Sequence, residues 1–329
     1  MRGDSKVPMT GRERLFRCVH RQGVDRSPFL RWDDFAATDL TAAWARKAEN
    51  LTAKPRQWTD EWGIHWESCD ATRGQPHRHP IEHTEQMATY LIPEVRIDHA
   101  GLAANRREYP DRAQSGGLGF FYFELLEKLR GFDGALMDLA SEPEAMVAFL
   151  DRLQAYYVAM VEAYAATGLV DVIAVNEDLG LQDRLAISPA MWREFFKPRY
   201  RAVYDRAHAH GLLVFQHSCG FIQDIIPDLS EIGVDILEMQ QLACMDIGAI
   251  ARERGGMCIT APVDIQSILP KGNWSEIEAF QRQLFRVFDL PEGGFLPQLY
   301  CDLAALGIPA GTVERLQKLV LELCGWRDA

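Results

Sequence analysis

Apolar residues in the second half of the chain alternate between two patterns. A short unbroken apolar run is followed by a longer stretch whose apolar positions lie three and four apart, and the pair then repeats. The runs Val170–Val175, Leu212–Gln216, Val234–Met239, Met257–Thr260 and Phe295–Tyr300 predict strands buried on both faces. The stretches at 189–210, 222–232, 247–254, 274–288 and 312–324 predict helices, and a longer one at 142–167 precedes the first run. Short apolar strands alternating with helices predict a parallel sheet. Their number favours an α/β (β/α)8 TIM barrel over an open sheet.

The first third is patterned differently. Thr10 with Glu13 three residues later reads as a capped helix start, and the stripe carrying Leu15 and Val19 ends at Gly23. Pro28–Trp32 reads as the first strand. From about 35 to 118 the periodicity is poor, with His77, His79, Pro80 and His83 scattered through it and a Gly-rich turn expected at Ser115–Gly119. This stretch is read as an insertion covering the barrel mouth, within one domain spanning 1–329.

Composition narrows the function classes. The 329 residues are 47% hydrophobic, ample for a large core. The formal charge of -12, with a pI near 5.3, argues against a phosphate-backbone partner, which needs clustered Lys and Arg. Met1–Thr10 has no apolar signal segment, and no window approaches the roughly 18 apolar residues of a membrane span, so a cytoplasmic protein is expected. The seven cysteines form an odd set without framework spacing, and reduced thiols are expected. Cys18, Cys69, Cys244, Cys258 and Cys324 are assigned to the core or to helix faces. Neither a Gly-x-Gly-x-x-Gly after a strand nor a Walker-type loop occurs, so nucleotide binding is unsupported.

In a barrel, side chains just past the C-terminal ends of the strands converge on one mouth. Read off in order, these are Trp32-Asp33-Asp34, Glu177-Asp178, His217-Ser218-Cys219, Glu238-Met239-Gln240, Asp264, and Gln298 with Cys301. Residues two apart in an extended chain point the same way, so His217 and Cys219 leave one strand end together. With Cys301 from another strand end they would make three zinc ligands and leave one coordination position open. The alternative is that both cysteines are buried structural thiols and His217 caps a turn. Glu177 and Asp178 are candidates for a fourth ligand or a general acid or base, or else for a cap of the turn that follows. Trp32, Asp33, Phe120, Tyr122, Gln182, Glu238, Gln240, Asp264 and Gln298 are expected to line the pocket.

Several segments resemble the uroporphyrinogen decarboxylase superfamily, and within it the corrinoid-dependent, zinc-containing methyltransferases. The most specific are Glu177-Asp178-Leu179-Gly180, Ile187-Ser188-Pro189, Phe196-Lys197-Pro198-Arg199-Tyr200 and His217-Ser218-Cys219-Gly220. Met9–Arg14, Val24–Pro28, Leu129–Phe132 and Ser141–Glu144 are similar to that superfamily's entry helix, first strand and central region. The resemblance implies zinc held by a His-x-Cys pair and one later Cys, positions that fall on His217, Cys219 and Cys301. It implies methyl transfer between a corrinoid and a small thiol or methoxylated substrate. No corrinoid domain is read in the chain, so the cobalamin is expected on a partner corrinoid protein; a homodimer is left open. The decarboxylases carry an arginine-rich loop after the first strand, where this chain has the acidic Arg31-Trp32-Asp33-Asp34-Phe35. A decarboxylase of a smaller acid, and a non-catalytic corrinoid or tetrapyrrole carrier, are the competing expectations.

Overall fold

A computed structural model describes residues 8–35, 37–43, 56–68, 74–301, 303 and 306–326; Cys69 lies outside them. The strands are β1 (Leu30–Arg31), β2 (Leu40–Ala42), β3 (Arg56–Thr59), β4 (His65–Ser68), β5 (Gln75–Arg78), β6 (Ala113–Phe120), β7 (Val172–Asn176), β8 (Leu213–Ser218), β9 (Ile236–Met239), β10 (Cys258–Ala261) and β11 (Phe295–Leu299). Eight form one sheet in the order β1-β11-β10-β9-β8-β7-β6-β2. Every pairing in it is parallel.

The two ends of this sheet meet. Asp39 N–H donates to the Phe29 carbonyl at 2.9 Å, and the Asp39 carboxylate accepts from Phe29 N–H at 2.9 Å. These bonds seam β1 to β2 and close an α/β TIM barrel. Inside it, Leu30, Leu40, Ala113, Val172, Ala174, Leu213, Phe215, Ile236, Cys258 and Leu296 pack into one cluster. A larger apolar layer lies between the barrel and the surrounding helices, which include Pro143–Thr167, Lys197–Ala209, Trp274–Phe288 and Ala310–Cys324. Strict apolar alternation is absent from these strands because both of their faces are buried.

The expected insertion at 35–118 needs correcting. It contains a barrel strand, β2, and the start of another, β6. The Gly-rich turn expected at Ser115–Gly119 is itself part of β6. Glycine is needed there by close approach: a Cβ on Gly116 would sit 2.6 Å from the Tyr164 ring, whose hydroxyl donates to the Gly117 carbonyl at 2.9 Å. The cover proper is the antiparallel sheet β3-β4-β5. Trp66 of β4 stacks between Trp58 and Phe120, with ring centroids 6.0 and 5.8 Å away. His79, one of the histidines scattered through the stretch of poor periodicity, bonds the Lys128 carbonyl at 2.8 Å and ties the cover to the helix Tyr122–Arg130. Cys18, Cys258 and Cys324 are buried free thiols and Cys244 is half-buried. Among the described residues, no helix is long and apolar enough to cross a membrane.

Candidate active site

β8 runs Leu213-Val214-Phe215-Gln216-His217-Ser218, and its inward positions alternate. Leu213 and Phe215 fill the barrel interior, so His217 stands one layer above them, facing the mouth. Trp32 packs edge-on against Phe215 at 5.7 Å and helps form the apolar floor. The chain leaves β8 at Cys219-Gly220 beside the loop that leaves β7. The two loops are bonded backbone to backbone, with Gly180 N–H donating to the Cys219 carbonyl at 3.1 Å and Phe221 N–H to the Leu181 carbonyl at 2.8 Å. Only glycine allows this contact: a Cβ on Gly180 would lie 2.3 Å from Phe221 N, and one on Gly220 would lie 2.2 Å from the Gly180 carbonyl oxygen. Asp178 is thereby laid over Cys219, whose N–H donates to its carboxylate at 2.9 Å.

Three donor atoms converge as a result. His217 Nε2 lies 3.2 Å from Asp178 Oδ1 and 3.5 Å from Cys219 Sγ. The ligand atoms of all three residues fall within 4.8 Å of one another. In a tetrahedral zinc site with bonds of about 2.0–2.3 Å, neighbouring donors are separated by roughly 3.3–3.8 Å. The nitrogen, thiol and carboxylate are therefore of the right type for a zinc-class ion, and the two separations from Nε2 lie close to that spacing. His217 Nδ1 bonds Glu238 Oε2 at 2.7 Å, which leaves Nε2 as the nitrogen facing the cluster. A carboxylate on the far nitrogen is the usual way a metal-ligating histidine is oriented.

The charges of the three groups depend on one another. Burial opposes charge on His217, but Cys219, Glu238 and Asp178 outweigh it and hold its pKa well above the ordinary value. Burial likewise opposes ionisation of Asp178, and the hydrogen bond and charge of His217 overcome that and lower its pKa. The Cys219 thiol is pushed up by burial against the pull of His217. A cation bound at Nε2 would occupy the place of the proton that these neighbours favour.

The other expected residues divide into groups. Cys301, half-buried past the end of β11, is not among the three clustered donors. Gln240 Oε1 lies 3.8 Å from Cys219 Sγ, at the site. Glu238 and Gln298 are buried and bonded to each other just inside it. Phe120 belongs to the stack under the cover, with Lys128 Nζ 5.7 Å from its ring. Asp33 is engaged by Arg31 at 2.7 and 3.1 Å, and Gln182 is exposed.

Three expected site residues serve the scaffold. Asp264 accepts from the N–H groups of Ala243, Gln266 and Ser267 and anchors a loop. Tyr122 is fully buried against Tyr200. Glu177 is also fully buried, facing away from the three donors, and accepts from Phe123 N–H at 2.8 Å, Glu124 N–H at 3.2 Å and the Tyr200 hydroxyl.

Sequence reasoning passed over Glu124 and Glu127. Burial, followed for Glu124 by the charge of Asp178, pushes Glu124 up to about 7, and burial does the same for Glu127. Both precede Lys128 on a helix whose sequence reads as a solvated charged face, so only tertiary burial distinguishes them. Gln241, which accepts from Gly220 N–H at 2.6 Å, carried no signal either.

The model of the family described as uroporphyrinogen decarboxylase (URO-D) matches residues 120–320, which hold all the donor atoms. The chain belongs to the uroporphyrinogen decarboxylase family. Within this family fold the donors lie at the C-terminal end of β8 and in the loops that leave β7 and β8. No curated protein sequence matches the chain. Among solved structures it is similar to a methyltransferase from Methanosarcina mazei, with 16% identity and a TM-score of 0.70 over 95% of this chain and 99% of that one. It is also similar to a B12-independent methionine synthase from Shewanella sp. W3-18-1 in complex with selenomethionine, with 9% identity and a TM-score of 0.52 over 89% and 83%. At such identities these likenesses speak for the fold.

Proposed function

We propose that this URO-D family chain is a zinc-dependent methyltransferase that moves a methyl group between the corrinoid of a partner protein and a small thiol or methoxylated substrate. The observation that carries this reading is the convergence of His217 Nε2, Cys219 Sγ and Asp178 Oδ1 at the mouth of the barrel. Bound there, zinc would lower the pKa of a substrate thiol or polarise a methoxy oxygen. The likeness to the Methanosarcina mazei methyltransferase over nearly the full length of both chains supports the same reading.

The protein's own groups have separable tasks. Glu238 fixes the imidazole, and the Gly180–Gly220 contact fixes Asp178 over Cys219. Trp32 and Phe215 close the floor with apolar surface, which limits water to the mouth side. Cys301 is the third ligand that the family resemblance implies, and Asp178 is the donor nearest to hand. An exchange between them, or displacement of Asp178 by substrate, would keep one coordination position available.

Decarboxylation of a polycarboxylate tetrapyrrole is the poorer reading. The Arg31 guanidinium is tied to Asp33 and to Gln317 at 2.7 Å, so it is already engaged where substrate carboxylates would need it.

Elemental analysis of the purified protein tests the proposal. About one zinc per chain is expected, lost in His217→Ala and Cys219→Ser. Comparing Asp178→Asn with Cys301→Ser identifies the third ligand, since only the ligand variant should release metal. Methyl transfer from free methylcobalamin to a panel of small thiols, followed by cobalamin absorbance, should fall at least about 100-fold in His217→Ala. A metal-free protein whose activity survives that substitution would overturn the assignment.

A further inference from the structure

The side chains behind His217 form a hydrogen-bonded chain whose polarity is fixed at every link. Glu238 is 4% exposed and shares its two oxygens between two partners: Oε2 takes His217 Nδ1 at 2.7 Å, and Oε1 takes the Gln298 side-chain amide. Neither partner is a lysine or arginine. Gln298 is 1% exposed and reaches Glu238 from β11, over the intervening strand β10. On β10, the hydroxyl of Thr260 donates to Gln298 Oε1 at 3.4 Å.

The chemistry determines which way the amide faces. A carboxylate oxygen can only accept, so Gln298 must present its NH2 to Glu238 and its carbonyl to Thr260. Glu238, anchored on one oxygen, is left to accept the Nδ1–H of His217 on the other. When a cation takes the place of the Nε2 proton, the lone pair that binds it points toward Cys219 and Asp178. We infer that Gln298, itself out of reach of the metal donors, is a positioning residue: held by Thr260, it locks Glu238 and so sets the tautomer and aim of His217. The inference rests on the proposed metal site for its consequence but not for its geometry. Gln298, expected from the sequence to line the pocket, thus acts one step behind it.

Two readouts test the assignment. The first uses metal-free protein, in which the His217 Nδ1–H resonance is identified by its loss in His217→Ala. Its exchange with solvent should be at least about 10-fold faster in Gln298→Met than in wild type, because Glu238 loses one of its two anchors. The second is zinc affinity, measured by competition with a chromophoric chelator. Gln298→Met should weaken it about 10–100-fold, the range typical of partners that orient metal ligands. Thr260→Val, close to isosteric, should shift both readouts the same way by a smaller factor, which covers the case of a poorly folding Gln298 variant. In the double variant with Glu238→Gln, the loss should be less than the product of the single losses, because both act through one link. Unchanged Nδ1–H exchange in Gln298→Met and Thr260→Val would overturn the inference whether or not zinc binds. Absence of zinc from wild type would instead count against the proposed function and leave the exchange result to decide this point.

Discussion

At the scale of single residues, a side chain's chemistry depends on which side of a strand end it leaves. Glu177 and Asp178 are neighbours in sequence with opposite assignments. Asp178 faces Cys219 and His217, whereas Glu177 turns back under the helix Tyr122–Arg130 and accepts its first N–H groups. Such orphan donors at a helix start need a partner. Glu177→Ala is expected to leave them unsatisfied in a buried cavity and to cost roughly 3–5 kcal/mol, whereas Glu177→Gln, which keeps one acceptor, should cost about 1 kcal/mol. Denaturant unfolding of the two variants measures this, with zinc content expected to survive in Glu177→Gln. Loss of metal at unchanged stability would return Glu177 to the ligand set. His217 and Cys219 were legible beforehand because both fall on one strand end two residues apart, a relation internal to the chain. The burial of Glu177, Tyr122 and Asp264 was not, since it depends on which loop lies over each of them.

Elements were legible where apolar runs were long enough to set a period. The strands from β7 onward and the helices between them lie within a few residues of where the pattern puts them. β2 has three residues, too few to set a period, and β6 is built largely from Ala, Gln, Ser and Gly, without the β-branched signal of a strand. They are strands because the barrel pairs them, as β2 with β6 and β6 with β7. One junction between elements is pH-sensitive. His208, on the helix Lys197–Ala209, bonds Asp235 at 2.8 Å, and the same carboxylate accepts from Val214 N–H of β8 at 2.7 Å. The hydrogen bond to Asp235 raises the His208 pKa, burial opposes it, and the charges of Asp235 and Asp205 add to the rise. A raised pKa in the folded state means the contribution is fully present below the unfolded value of about 6.5 and lost as pH climbs through the folded value. His208→Asn should therefore lower stability by about 1 kcal/mol or less at pH 6, discounted for solvent screening of a ring more than a third exposed. The difference from wild type should shrink by pH 9. A penalty that is equal at both pH values would show that packing, not charge, holds this junction.

For the whole molecule, the decisive contact is the one that makes the sheet a barrel. Among the described residues β1 and β2 share no strand ladder, and Asp39 links them instead. Its carboxylate is fully buried and accepts from Phe29 N–H, while Arg14 and Arg26 approach it at 2.6 and 2.9 Å. Arg14 is 4% exposed and divides its guanidinium between Asp39 and Asp25. Removing one member of such a buried group leaves charge without a partner, so Asp39→Ala should cost roughly 3–5 kcal/mol. The comparison is Arg12→Ala, which breaks the 2.7 Å pair with Asp171 from a side chain 53% exposed and should cost about 1 kcal/mol or less. Chemical denaturation of both variants gives the ranking, and equal midpoints would mean that the barrel does not depend on this seam. Hydrogen exchange places the effect. In Asp39→Ala the amides of β1 and β2 should exchange faster, while those of β8 and β9, paired on both sides in the middle of the sheet order, should stay protected. Because β1 leads directly into Trp32 on the barrel floor, the seam variant should loosen the wall opposite His217 and leave the strands carrying His217 and Glu238 in register.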